Sequence, residues 1–209
     1  MARVVNGING PFIGKVGSVI GYTRNGVAYM KGLYKARTKA PGEKEVLNRK
    51  KFAAAQAWLK PIIDYVRVGF KGYNERFEGF VAAKSCLMKN ALQVIDNEII
   101  IDPALIKISF GNLPLPENIE CTIQEPNTLR FTWISSTEKG YGYDQAMVLA
   151  YDLKSGKAYG NPYGNHRDSC ESVITIGVPK GETYHTYLAF IAADRSRQSE
   201  SVYLGKFEF

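Results

Sequence analysis

The spacing of apolar residues changes twice along this chain, and each change removes a class of folds. From Glu43 onward Val46, Leu47, Phe52, Ala55, Trp58, Leu59, Ile62, Ile63 and Val66 recur three or four positions apart, which sets them on one side of an α-helix. Pro61 interrupts the run. Proline lacks the amide donor and crowds the carbonyl four residues back, so a kink or a second helix start is predicted there. Beyond 69–72, Asn74 is a candidate cap, and Phe77, Phe80, Val81, Leu87 and Ala91, with the Lys84 stem as cover, extend a helical stripe to about Leu92. Two antiparallel helices are expected. From about residue 99 the period falls to two. Residues 105–110, 120–125, 128–134, 145–152, 171–177, 183–193 and 200–209 read as strands. In 128–134, Leu129, Phe131 and Trp133 fall on one side, and Arg130 and Thr132 on the other. Strands of this length separated by turn residues predict two sheets joined through their apolar faces.

The segment before Glu43 obeys neither period. Glycine stands at 7, 10, 14, 17, 21, 26 and 32, too often for a sheet that buries itself, since each one loses backbone entropy on ordering and offers no side chain to packing. Asn25-Gly26 is a dipeptide suited to a tight turn, so a β-hairpin is predicted around it. Such a hairpin must lean on something else. Residues 35–44, with Pro41-Gly42, form a polar linker. The fold class is therefore α+β: a basic glycine-rich hairpin arm over 1–42, a helical hairpin over 43–98 and an all-β sandwich over 99–209.

Charge is concentrated in that arm. The chain has a net charge of +7, yet residues 1–51 hold eleven Lys or Arg against Glu43 and Glu45, and the remainder is slightly acidic. Lys15, Arg24, Lys31, Lys35, Arg37 and Lys39 alternate with Tyr22, Tyr29 and Tyr34. Cations neutralise phosphates and exposed rings stack on unpaired bases, so these residues, Tyr22 and Tyr34 among the rings, form a candidate surface for DNA or RNA. The plainer reading has the tyrosines packing on the helices and the lysines solvating a face.

Two resemblances follow from named residues. The segment 127–136 around Trp133, together with 178–205, resembles a fibronectin type III or related immunoglobulin-like domain over about residues 113–209. That resemblance implies a core tryptophan at Trp133 and, after Pro179 and Gly181, a tyrosine corner at Tyr184. Gly14, Lys15, Gly17, Gly21 and Tyr22, followed by Arg49 and Phe52, are similar to the opening and first helix of a poorly characterised bacterial family of unknown function. Membership implies this architecture and brings no activity.

Reactive groups are sparse. His166 lies beside Asp168, Ser169 and Cys170, which suggests a hydrolytic nucleophile, but sequence proximity on a loop does not make a triad and no G-x-S-x-G elbow is present. His185 falls within a strand and reads as structural. Asp144, Asp152 and Asp168 form a candidate Ca²⁺ set if they share one end of the sandwich. Cys86, Cys121 and Cys170 are odd in number and lack a C-x-x-C pair, and no nucleotide or zinc motif occurs, so no cofactor or metal is expected. No apolar stretch reaches about 18 residues and no signal-like opening is present, so no membrane insertion and cytoplasmic residence on synthesis are expected. The sequence thus points to a non-enzymatic structural protein that forms a homo-oligomer or larger protein assembly through its arm, as a virion or mobile-element component does. Nucleic-acid binding through the arm is the alternative.

Overall fold

The break in spacing at Glu43 is also where the chain divides into two units, Met1–Glu43 and Lys44–Phe209. The computed structural model describes all residues except 1, 2, 5, 6, 8, 9, 25, 75, 125, 136–139 and 178–180. In the first unit, β1 (Arg3–Val4), β2 (Phe12–Val16), β3 (Val19–Arg24) and β4 (Val27–Gly32) form an antiparallel meander in sequence order. The β3–β4 connection closes between paired Arg24 and Val27, with Gly26 at φ +76°; Asn25, half of the expected turn, lies outside the described residues. The sheet is thus larger than a hairpin by two strands.

The second unit begins with a continuous helical run. α1 (Glu43–Leu59) passes through a 3₁₀ turn (Lys60–Ile62) into α2 (Ile63–Gly69). Pro61 sits near the start of that 3₁₀ turn, where its missing donor is tolerated. α3 (Gly79–Asn90) starts later than Asn74 suggested. The Asn74 side chain instead accepts from the Arg76 amide at 2.9 Å, and Glu78 precedes the helix. The hairpin β5 (Leu92–Ile95) and β6 (Glu98–Ile101) follows, turning on Asp96 and Asn97, both at positive φ.

The remaining strands are β7 (Glu117–Gln124), β8 (Thr128–Ile134), β9 (Gln145–Tyr151), β10 (Ala158–Asn161), β11 (Glu171–Thr175), β12 (Thr183–Ile191) and β13 (Val202–Glu208). They make a four-stranded sheet in the order β10-β9-β12-β13 and a three-stranded sheet in the order β11-β8-β7. The stretch 105–110 is not one of the strands. Its amides are taken elsewhere: Ile108 donates to the Ser201 hydroxyl at 2.9 Å and Phe110 to the Gly69 carbonyl at 2.9 Å.

Alternation along β9 and β12 divides the core in two. Ala146, Val148, Ala150, Leu188 and Phe190 face Leu129, Phe131, Trp133 and Ile174 of the smaller sheet. Met147, Leu149, Tyr151, Tyr187, Ala189 and Ile191 face Leu59, Ile62, Val66, Phe70 and Leu87 of the helices. Two hydroxyls secure the helical side, Tyr151 to the Trp58 carbonyl at 3.1 Å and Tyr187 to the Pro103 carbonyl at 2.7 Å. Helices and strands therefore share one unit, and the four-stranded sheet is covered on both faces.

Arg167, 0% exposed, closes one end of the paired sheets. Its amide donates to the Asp144 carbonyl at 2.7 Å, and its guanidinium donates to the Pro114 carbonyl at 2.7 Å and lies 3.4 Å from the Asp144 carboxylate. The guanidinium carbon sits 4.6 Å from the Phe190 ring centre, while the Arg167 carbonyl accepts from the Trp133 indole at 2.7 Å. Burial holds the Asp144 carboxyl above its usual range despite the attraction of Arg167. Tyr184, the expected corner, donates its hydroxyl to the Glu182 carboxylate rather than to backbone; Pro179 lies outside the described residues.

Removing one member of a buried ion pair strands the other. Arg167→Met is expected to lower unfolding free energy by about 3–5 kcal/mol. Arg167→Met with Asp144→Asn, which removes the stranded charge and keeps an acceptor for the Ala193 amide, should recover part of that loss in urea titrations.

Candidate functional site

Pairing register fixes which side chains share a face of the N-terminal sheet. Lys15 pairs with Ile20 and Ile20 with Lys31; Tyr22 pairs with Tyr29, Arg24 with Val27 and Arg3 with Ile13. Strand alternation then places Arg3, Ile13, Lys15, Ile20, Tyr22, Arg24, Val27, Tyr29 and Lys31 on one face. Each strand contributes one cation to it. The opposite face carries Val4, Phe12, Val16, Val19, Thr23, Ala28 and Met30 with Gly14, Gly21 and Gly32, and no charge.

On the charged face the Tyr22 and Tyr29 rings are stacked, centroids 5.6 Å apart at 20°. The Lys31 ammonium lies 5.4 Å from the Tyr22 ring centre. Both rings and Lys15, Arg24 and Lys31 are exposed. Of the residues singled out from sequence, these four, Lys15, Tyr22, Arg24 and Lys31, therefore meet on one surface. Tyr34, Lys35, Arg37 and Lys39 lie in the irregular exposed segment 33–42 after β4. On the other face the Phe12 ring covers Gly21, where an added Cβ would stand 2.1 Å from the Phe12 carbonyl oxygen and 2.8 Å from ring carbons. Glycine is required there for close approach.

The loop residues do not converge as a nucleophile site. His166 Nδ1 lies 3.1 Å from the Tyr143 carbonyl, the Asp168 carboxylate accepts from the Ser135 hydroxyl at 3.1 Å, and Cys170 is exposed at positive φ. Asp144 and Asp152 stand at opposite ends of β9, so the acidic set considered for Ca²⁺ is not assembled. Asp152 instead caps its own turn, accepting from the Lys154 and Ser155 amides at 2.9 and 3.0 Å. Among the described residues no three His, Cys, Asp or Glu side chains gather as a metal site, and no helix is long and apolar enough to cross a membrane.

One basic feature escaped sequence reading. Arg67 and Lys71 near the end of α2, Tyr163, and Arg195 after β12 line a cleft of about 190 Å³. The Arg195 guanidinium lies 4.3 Å from the Tyr163 ring centre, and Lys71 donates to the Arg195 carbonyl at 3.2 Å. Its members are far apart in sequence, so no local pattern announces it.

His185 faces the helical side of its sheet, its Nδ1 2.9 Å from the Tyr203 hydroxyl. Burial, then the nearby Lys206 charge, pushes its pKa below 6.5.

Residues 11–205 match the model of a family of unknown function, DUF6266. No curated protein matches the chain.

Two outcomes are expected from this geometry. Gly21→Ala should reduce amide protection across β2–β4 by about one to two powers of ten, the equivalent of roughly 1–3 kcal/mol of overpacking, with protection unchanged in the second unit by hydrogen exchange. For His185, the unfolded state binds the proton more tightly than the folded state, so stability falls as pH drops through 6.5. His185→Gln should flatten that acid-side decline in urea midpoints measured between about pH 7.5 and about pH 5.

Proposed function

The chain belongs to the DUF6266 family of unknown function, and from its surfaces we propose that it is a non-enzymatic structural protein that assembles through its N-terminal sheet. The observation that carries this reading is the lack of a core in that sheet. Among its described residues only Gly21 is buried, while Val4, Val16, Val27 and Met30 are more than half exposed. A thin sheet wet on both faces gains too little from burial to offset the ordering of its backbone. Assembly supplies the missing layer.

The occupant that suits the glycine-rich face is a second copy of the chain. This face holds no charge, so two copies can meet through Phe12, Val16, Val19 and Met30 as facing sheets do. The other face would set four cations against four. Within the second unit, the strand orders β11-β8-β7 and β10-β9-β12-β13 with Trp133 between the sheets support a fibronectin type III-like sandwich. Such a domain can be displayed while the sheet provides attachment, the division of labour of a virion or mobile-element component.

Light scattering on the full chain across a wide concentration range tests this. The expected result is an oligomer that loses mass on deletion of residues 1–42 and on Val16→Asp with Met30→Asp, each leaving the second unit folded by circular dichroism. A full-length protein that is monomeric at every concentration overturns the proposal.

A further inference from the structure

We infer that the charged face of the N-terminal sheet binds single-stranded nucleic acid. The charge of this segment is one-sided, for no Asp or Glu occurs in residues 1–42. Arg3, Lys15, Arg24 and Lys31 come one from each strand and all fall on the face that carries the tyrosines. On this sheet nothing neutralises them locally, and a polyanion is the ligand that gains by releasing its counterions to such a row.

The rings decide which polyanion. The Tyr22–Tyr29 pair occupies the register row between Lys15-Ile20-Lys31 on one side and Arg24-Val27 on the other. Rows on one face are about 7 Å apart, two residues along a strand. A base stacked on the exposed pair therefore has cations on both flanks within reach of its phosphates. Lys31 over Tyr22 holds a cation at the ring itself, where it serves the stack and the backbone together. Unpaired bases alone can stack in this way. A duplex keeps its bases stacked on one another and offers this sheet only phosphates. Lys35 and Lys39 add two exposed cations in the segment that follows β4.

The inference uses the opposite face from the one assigned to assembly, so the two can fail separately. Fluorescence anisotropy with a labelled 20-nucleotide oligo-dT and the full-length protein tests it, with light scattering on the same samples. Four contacts predict that log affinity falls by roughly 0.7 per contact for each tenfold rise in salt, about 3 in all. Lys15→Ala with Lys31→Ala should reduce that slope by about 1.4. Tyr22→Ala with Tyr29→Ala should weaken binding about 5- to 150-fold per stacked base with the slope retained. Tyr22→Phe with Tyr29→Phe, which keeps the rings, should bind as the unaltered protein does. A duplex of equal length should bind more weakly and ignore the tyrosine changes. No binding at about 50 mM salt, equal affinity for duplex, or indifference to loss of both rings overturns the inference; in the last case the face is a general polyanion surface. Val16→Asp with Met30→Asp alters mass if the assembly reading holds, whatever the anisotropy result.

Discussion

A guanidinium removed from water sets the geometry at one end of the two facing sheets. Arg167 is buried between Trp133 on β8, Asp144 before β9, Pro114 before β7 and Phe190 on β12, and it contacts all four. A buried cation is tolerated only with a counter-charge and acceptors at the right distance. Among the described residues its Nε and one terminal nitrogen find no hydrogen-bond partner, and the site is held by the contacts it does make and by the aromatic face beneath it. The arrangement permits little sliding of one sheet over the other, because any slip separates the charge from its acceptors. Asp144 is tied in turn to the Ala193 amide at 3.2 Å, which links the start of β9 to the segment after β12.

This fixed pairing lets the four-stranded sheet act as the middle of three layers. β9 and β12 are apolar on both faces, and helices α1 to α3 cover the face that a free-standing sandwich would offer to water. The facing sheets therefore depend on the helices for burial, and α1 is tied to the central sheet where the Trp58 carbonyl accepts from the Tyr151 hydroxyl, as the Pro103 carbonyl accepts from Tyr187. The outer half of α1 lies apart from this core, with Phe52 exposed and the Lys84 ammonium 5.4 Å from its ring centre.

The N-terminal sheet is in the opposite condition. The second unit buries what it needs, whereas the first presents a charge-free face and a cationic aromatic face with almost nothing between them. The proposed roles follow from that difference: the apolar face seeks another copy, and the charged face seeks phosphates and bases. Neither role requires a nucleophile or a metal. One protein can carry both, because strand alternation separates the two chemistries by the thickness of a single sheet.

Much of this was legible in the sequence where a local period governs burial. Residues 128–134 form β8 with Leu129, Phe131 and Trp133 inward, as alternation requires, and Pro61 sits where the helical run changes character. The Asp96-Asn97 turn, whose residue types tolerate positive φ, passed unread beside a helical stripe, and β10 is too short and glycine-broken to signal itself. The cations of the arm were visible as a list, but their common face was not. Register depends on which residues pair, and Lys15, Ile20 and Lys31 align only once β2, β3 and β4 are hydrogen-bonded. Residues 105–110 alternate well enough for a strand and are denied one because Ser201 and Gly69 claim their amides. Sequence by itself determined periodicity, charge placement and the points where glycine and proline break regular structure, since these act over a few residues. Tertiary structure alone decided the pairing of Arg167 with Asp144, the cover of helices on the central sheet and the two-faced division of the arm, since each joins groups whose separation along the chain carries no energetic signal until the backbone has folded.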